Sequence, residues 1–83
     1  MSIANEGRYA SVVLEYERVV KDITAKVEDG RLSRGDKLAG EKDLAEEYGV
    51  SYTTIRRAME VLRERGLVES VWGRGTFIIK RQR

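Results

Sequence analysis

The chain of 83 residues contains no cysteine and no histidine. The first absence excludes disulfide staples, thiol nucleophiles and cysteine-ligated zinc; the second excludes imidazole bases and histidine-ligated metals. Long hydrophobic runs are missing too, since no stretch approaches the length of about 20 apolar residues needed to cross a bilayer. Met1 to Asn5 lack the basic start and apolar core of a signal peptide. There is no internal repeat, no low-complexity linker and no GxxxxGK[ST] phosphate loop. With 41% hydrophobic and 36% charged residues the composition is globular rather than disordered. These features together predict one small soluble domain in the cytoplasm.

Charge is informative once divided along the chain. Overall the formal charge is only +2. Residues 1–50 carry 8 basic and 11 acidic side chains, net −3, whereas residues 51–83 carry 8 basic and 3 acidic, net +5. A basic C-terminal block of this kind is the electrostatic footprint of a nucleic-acid surface, although a solubilising surface has the same composition.

Periodicity predicts four elements. From about Ser11 to Asp29, Val12, Tyr16, Val19, Val20, Ile23 and Val27 recur in helical steps, and Gly30 follows as a stop. Ser33-Arg34-Gly35-Asp36 reads as a turn, with Lys37-Leu38 extended after it. A short second helix fits Glu41 to Tyr48, its first-turn Glu41 and Asp43 suiting the positive end of the helix dipole. Gly49 closes it, Val50 fills the gap between helices, and Ser51 is the N-cap of a third helix whose buried stripe is Ile55, Ala58, Met59 and Leu62. Gly66 ends that helix. Two β-rich runs flanking Gly73-Arg74-Gly75 then form a hairpin, with Trp72 and Phe77 assigned to the core. The fold predicted is mainly α with a small β-hairpin, a three-helix winged helix-turn-helix. Residues 1–10 form a flexible N-terminal segment, 11–79 the domain, and 80–83 a basic tail or the start of a linker.

The turn Glu47-Tyr48-Gly49-Val50-Ser51 has the length that joins the two helices of a helix-turn-helix, an arrangement that projects a helix N-terminus into a major groove about 12 Å wide. At about 100° per residue, Thr53 and Arg57 point away from the buried stripe, with Arg56 flanking and Tyr52 in the first turn. These groups bond phosphates and base edges, so the helix over 52–65 is the candidate reader of double-stranded DNA. Arg74 adds a second indication, because a tight turn does not require arginine at its tip and a thin hairpin can carry one into a narrow minor groove.

Several linked motifs now resemble the N-terminal DNA-binding domain of GntR-type bacterial transcription regulators. They are Tyr16-Glu17-Arg18-Val19-Val20, Gly30-Arg31-Leu32-Ser33-Arg34-Gly35-Asp36-Lys37-Leu38, Glu41-Lys42-Asp43-Leu44-Ala45, Val50-Ser51-Tyr52-Thr53-Thr54-Ile55-Arg56-Arg57-Ala58, Arg65-Gly66-Leu67-Val68 and Gly73-Arg74-Gly75-Thr76-Phe77. The resemblance implies DNA contacts from Lys42, Ser51, Tyr52, Thr53, Thr54, Arg56, Gly73, Arg74 and Gly75. Arg57 joins them on the helical-face argument, its outward direction serving a phosphate equally well, and Thr54, lying sideways on the helix, suits the DNA backbone. Further implications are a homodimer on a palindromic operator, repression as the mode of regulation, and a small-molecule effector acting only through a C-terminal domain absent from this chain. The chain is thus expected to be the DNA-binding part of a longer regulator, with Val12, Val13 and Leu14 adding a dimer contact.

Departures from the family pattern carry their own expectations. The prolines usual before Gly35 and after Leu38 are absent, which loosens the loop, while Gly40 still serves as an N-cap. Lys42 and Tyr52 stand where the family has arginines, and neither offers the planar fork that clamps guanine. The operator is therefore expected to be a variant of the family's usual one. An enzyme is not expected, because the acidic pairs Glu28/Asp29 and Glu46/Glu47 sit at solvated helix ends; no cofactor or metal is expected either. A winged helix that binds protein instead of DNA is the remaining alternative, and it predicts an exposed apolar patch. RNA binding lacks its aromatic stacking positions on a sheet.

Overall fold

Three helices come first in the chain and a hairpin last. A computed structural model describes residues 3–80, with side chains from residue 15 onward. The elements are α1 (Ile3–Glu28), α2 (Glu41–Tyr48), α3 (Tyr52–Glu64), β1 (Val68–Val71) and β2 (Gly75–Ile78). α1 begins at Ile3, well upstream of the expected Ser11. Residues 3–10 hold no proline to break a helix, and too few apolar residues for periodicity to register one. The side chains of Val12, Val13 and Leu14 lie outside the described residues, as does the tail 81–83.

The expected stripe of α1 is buried as Val19, Val20, Ile23 and Val27, with Tyr16 packed partly against it. It meets Ile55, Ala58, Met59, Val61 and Leu62 of α3, and Leu38, Leu44, Leu67, Val68 and Ile78 complete one core. α2 presents little apolar surface of its own. Its end is tied to α1 by polar contacts: the Tyr48 hydroxyl donates to Asp22 Oδ2 at 2.5 Å, and Arg18 donates to the Tyr48 carbonyl at 3.2 Å. Lys26 Nζ lies 3.0 Å from the same Asp22 oxygen. The Tyr48 and Lys26 bonds hold the Asp22 carboxyl below its ordinary range, while burial and the bond to Asp22 push the Tyr48 phenol up.

The loop between α1 and α2 is held without its prolines. Asp36 N–H bonds the Ser33 carbonyl at 2.9 Å and the Asp36 carboxylate accepts Ser33 N–H at 2.8 Å, giving the expected turn. Residues 35–38 then pair along β2. Gly35 N–H reaches the Ile78 carbonyl at 2.7 Å, Ile78 N–H reaches the Asp36 carbonyl at 2.8 Å, and Leu38 N–H reaches the Thr76 carbonyl at 2.9 Å. Lys37 and Phe77 form an antiparallel bridge, so the expected extended Lys37-Leu38 is in effect a third strand. The hairpin pairs Val68 with Ile78, Glu69 with Phe77, Ser70 with Thr76 and Val71 with Gly75.

Candidate nucleic-acid interface

The turn between α2 and α3 is local chemistry at every position. Gly49 takes φ 68°, the left-handed conformation that ends α2, and its N–H bonds the Ala45 and Glu46 carbonyls. Val50 is partly buried against the core. The Ser51 hydroxyl accepts the Thr54 N–H at 3.1 Å and donates to Thr54 Oγ1 at 2.9 Å. A Ser51→Ala substitution removes both bonds. It is expected to cost about 1 kcal/mol of stability in denaturant unfolding and to weaken DNA binding only through fraying of the first turn of α3.

Of the residues expected to touch DNA, the structure brings Tyr52 and Arg56 together. Both are exposed at the start of α3, with the Arg56 guanidinium 5.8 Å from the Tyr52 ring centroid. Arg56 Nε also lies 4.0 Å from Glu41 Oε1, in the first turn of α2 beside exposed Lys42. A pair this long and this exposed is worth little, so Arg56 is free to exchange it for a base or phosphate. Thr53 is exposed next to this group.

Thr54 is placed differently from the helical-wheel expectation, while Arg57 keeps its outward direction but lies toward α1. Thr54 is buried, at 4% exposure, and its hydroxyl is used by the Ser51 cap. It supports the helix start from beneath instead of facing a DNA backbone. Arg57 is exposed, but its guanidinium lies 5.4 Å from the Tyr16 ring centroid on α1 and 3.5 Å from Glu60 Oε2. It lines an open groove with Tyr16, Glu17, Val20, Lys21, Val61, Glu64 and Arg65, on the α1 side of α3 and apart from the Tyr52–Arg56 pair. The wheel gave its angle about the helix axis but not the position of α1.

At the wing, Arg74 N–H bonds the Val71 carbonyl at 3.0 Å, closing a turn in which Gly73 has φ 76°. Gly75 is required by its backbone, with φ 122°; a Cβ there would lie 2.7 Å from Cε of Lys37, the far end of a flexible side chain that can move aside. Arg74 is exposed and, among the described residues, forms no ion pair. One pair below the tip, the wing is braced by Arg63, which donates to Ser70 Oγ at 3.1 Å, and by the Ser70–Thr76 hydroxyl contact at 3.3 Å.

The assignment of Trp72 to the core is overturned. β1 buries only its first residue, Val68, and is exposed from Glu69 to Val71; Trp72 follows in the turn beyond it, away from the core, and is 97% exposed. Phe77, within β2, is half-buried. Lys37 was not singled out from the sequence as a DNA-contact candidate. Its exposed side chain crosses Gly75 and adds a cation to the wing, a placement that depends on the long-range bridge to Phe77.

A helix-turn-helix whose second helix presents an exposed aromatic–arginine pair, followed by a hairpin with an exposed arginine at its tip, defines a winged-helix DNA-binding domain. The model for bacterial regulatory proteins of the gntR family matches residues 15–78. The chain belongs to that family. It is 40% identical over 63 residues to the transcriptional regulator SmoD of Agrobacterium fabrum, covering 76% of this chain and 27% of that protein. Identity is 36% over 63 residues to MngR of Escherichia coli, a repressor of a mannosyl-D-glycerate transport and metabolism system, with 76% and 26% covered. Among solved structures, the DNA-binding domain of AraR in complex with an operator superposes with a TM-score of 0.74 at 36% identity, covering 77% of each chain. The chain spans about a quarter of the length of these two curated relatives.

Proposed function

We propose that this domain reads a near-palindromic operator for a bacterial repressor, acting in the cytoplasm as a homodimer. The carrying observation is the Tyr52–Arg56 pair at the exposed start of α3, beside the first turn of α2. α3 enters the major groove, where Arg56 bonds a guanine edge and Tyr52 and Thr53 pack on sugar, phosphate or a thymine methyl. Lys42, Lys37 and Arg74 take phosphates, with Arg74 near the minor groove. Gly73 and Gly75 let the wing backbone approach, and Ser51 with Thr54 fixes the helix start. Arg57 lies toward the flank, in reach of a phosphate rather than of the bases Arg56 reads.

Support for repression comes from relatives such as MngR, and support for an operator comes from the AraR complex. Because Lys42 and Tyr52 replace arginines of the family pattern, the operator differs from the family's usual sequence. A small-molecule effector acts through a further domain of the regulator.

Selection from a randomised duplex library, followed by titration at about 50 and 200 mM salt, tests the reading. A short inverted repeat is expected. Neutralising four to six phosphates per domain gives a log–log salt slope of roughly −4 to −5. Recovery of the usual family sequence unchanged would remove the variant-operator reading. A chain that binds no duplex at low salt would return the fold to a protein-interaction role.

A further inference from the structure

Trp72 is the chain's one tryptophan and stands 97% exposed at the end of the wing. No structural need accounts for it. In the turn Val71-Trp72-Gly73-Arg74, the demanding position is the third, which Gly73 fills with φ 76°. The second asks only for an ordinary negative φ, which almost any residue adopts. An indole there buries nothing in the fold, and it is surrounded by features that suit a polyanion. Arg74 is two residues away without an ion pair among the described residues, Lys37 lies over Gly75, and the strands just below the turn are braced through Arg63, Ser70 and Thr76. The wing therefore holds an apolar plate beside a cation on a supported stalk.

We propose that Trp72 is a DNA-contact and specificity-determining residue, seated in the minor groove beside the half-site read by α3. This rests on the DNA-binding reading above. Its chemistry matches that groove. The indole has one N–H donor and no acceptor. A·T pairs show only acceptors in the minor groove, whereas G·C pairs add the guanine N2 amino donor. Trp72 thus packs its ring on the sugar walls and donates Nε1–H to adenine N3 or thymine O2, giving the wing a preference for A·T. Arg74 takes a phosphate at the groove edge and reads no base, so the preference for the acceptor edge belongs to Trp72.

The lone indole makes the contact directly visible. Titration of the protein with a selected duplex should shift Trp72 emission to shorter wavelength or quench it, and should protect the ring from acrylamide. Three duplexes sharing the selected core and differing only at the wing flank (A·T, G·C, or inosine·C, which lacks the N2 amino group) should bind in a set order. A·T and inosine·C should be about equal and both roughly 5-fold tighter than G·C, within the range of one base-edge contact. Trp72→Phe should retain most of the affinity and lose the flank preference. Trp72→Ala should lose about 5- to 10-fold in affinity with an unchanged melting temperature, since the ring contributes nothing to the core.

Full binding by Trp72→Ala with unmoved emission in the wild type overturns the proposal and leaves the DNA-binding reading standing. Failure of the wild type to bind any duplex overturns both. An emission change that follows protein concentration without DNA assigns the ring to self-association and also overturns the proposal.

Discussion

Arg56→Ala is expected to reduce affinity for a selected duplex by about 10- to 100-fold, within the 1–3 kcal/mol carried by a good bidentate base contact. The fold should be untouched. The side chain is 64% exposed and its nearest carboxylate, on Glu41, is 4.0 Å away, so nothing buried loses a partner. The loss should also be selective. Arg56→Ala should flatten discrimination at one base pair of each half-site, whereas Arg74→Ala should weaken all duplexes alike and make the salt slope shallower. Arg56→Lys separates charge from shape: it retains the cation but not the planar fork, so the salt slope should persist while discrimination falls. Anisotropy titrations on selected and single-substituted duplexes report both quantities. Unchanged affinity and unchanged discrimination in Arg56→Ala would remove that residue from the reading surface.

The part of this surface that could be read from sequence is the part built by neighbours in the chain. Gly49 and Ser51 announce the turn because a left-handed φ and a side-chain cap are properties of one residue and its next few partners; both are found, at φ 68° and in the bond to Thr54 N–H. The stripe Ile55, Ala58, Met59 and Leu62 is likewise a local pattern, and all four are buried. What was misplaced depends on distant elements. Trp72 reads as inward from the β-rich run that contains it, but only Val68 of β1 reaches the core, which is built by distant helices. Arg57 points outward on an isolated helix, but in the fold its guanidinium meets Tyr16, some forty positions earlier. Lys37 reaches the wing only through its bridge to Phe77. Thr54 lay within local reach, since a Ser three residues before a Thr offers two hydroxyls to one cap, yet a wheel drawn for exposure does not show that bond.

The missing prolines illustrate how a local rule is offset by pairing. Proline stiffens a loop by reducing the freedom of the unfolded chain. Here residues 35–38 are instead bonded to β2 through Gly35, Asp36 and Leu38. The same pairing carries Lys37 across Gly75, so the loop substitutes hydrogen bonds to β2 for intrinsic stiffness and gains a cation for the wing.

Ile55→Ala, one residue from Arg56, should have the opposite signature. Ile55 is 0% exposed near the start of α3, in the core that joins all three helices to the hairpin. Truncating a buried isoleucine costs about 2–5 kcal/mol, against a total of about 5–15 kcal/mol for a domain, and should lower the melting temperature by roughly 10 °C or more. The DNA-facing side chains remain in place, so affinity of the folded fraction should change little. Binding then becomes a second test through mass action. A selected duplex at about 100 times its Kd contributes close to 2.7 kcal/mol to the folded state and should restore much of the lost thermal stability. Melting curves with and without duplex check both steps. A variant that melts like the wild type would contradict the buried position of Ile55, and one destabilised but not rescued would mean that the core beneath α3 sets the reading surface itself.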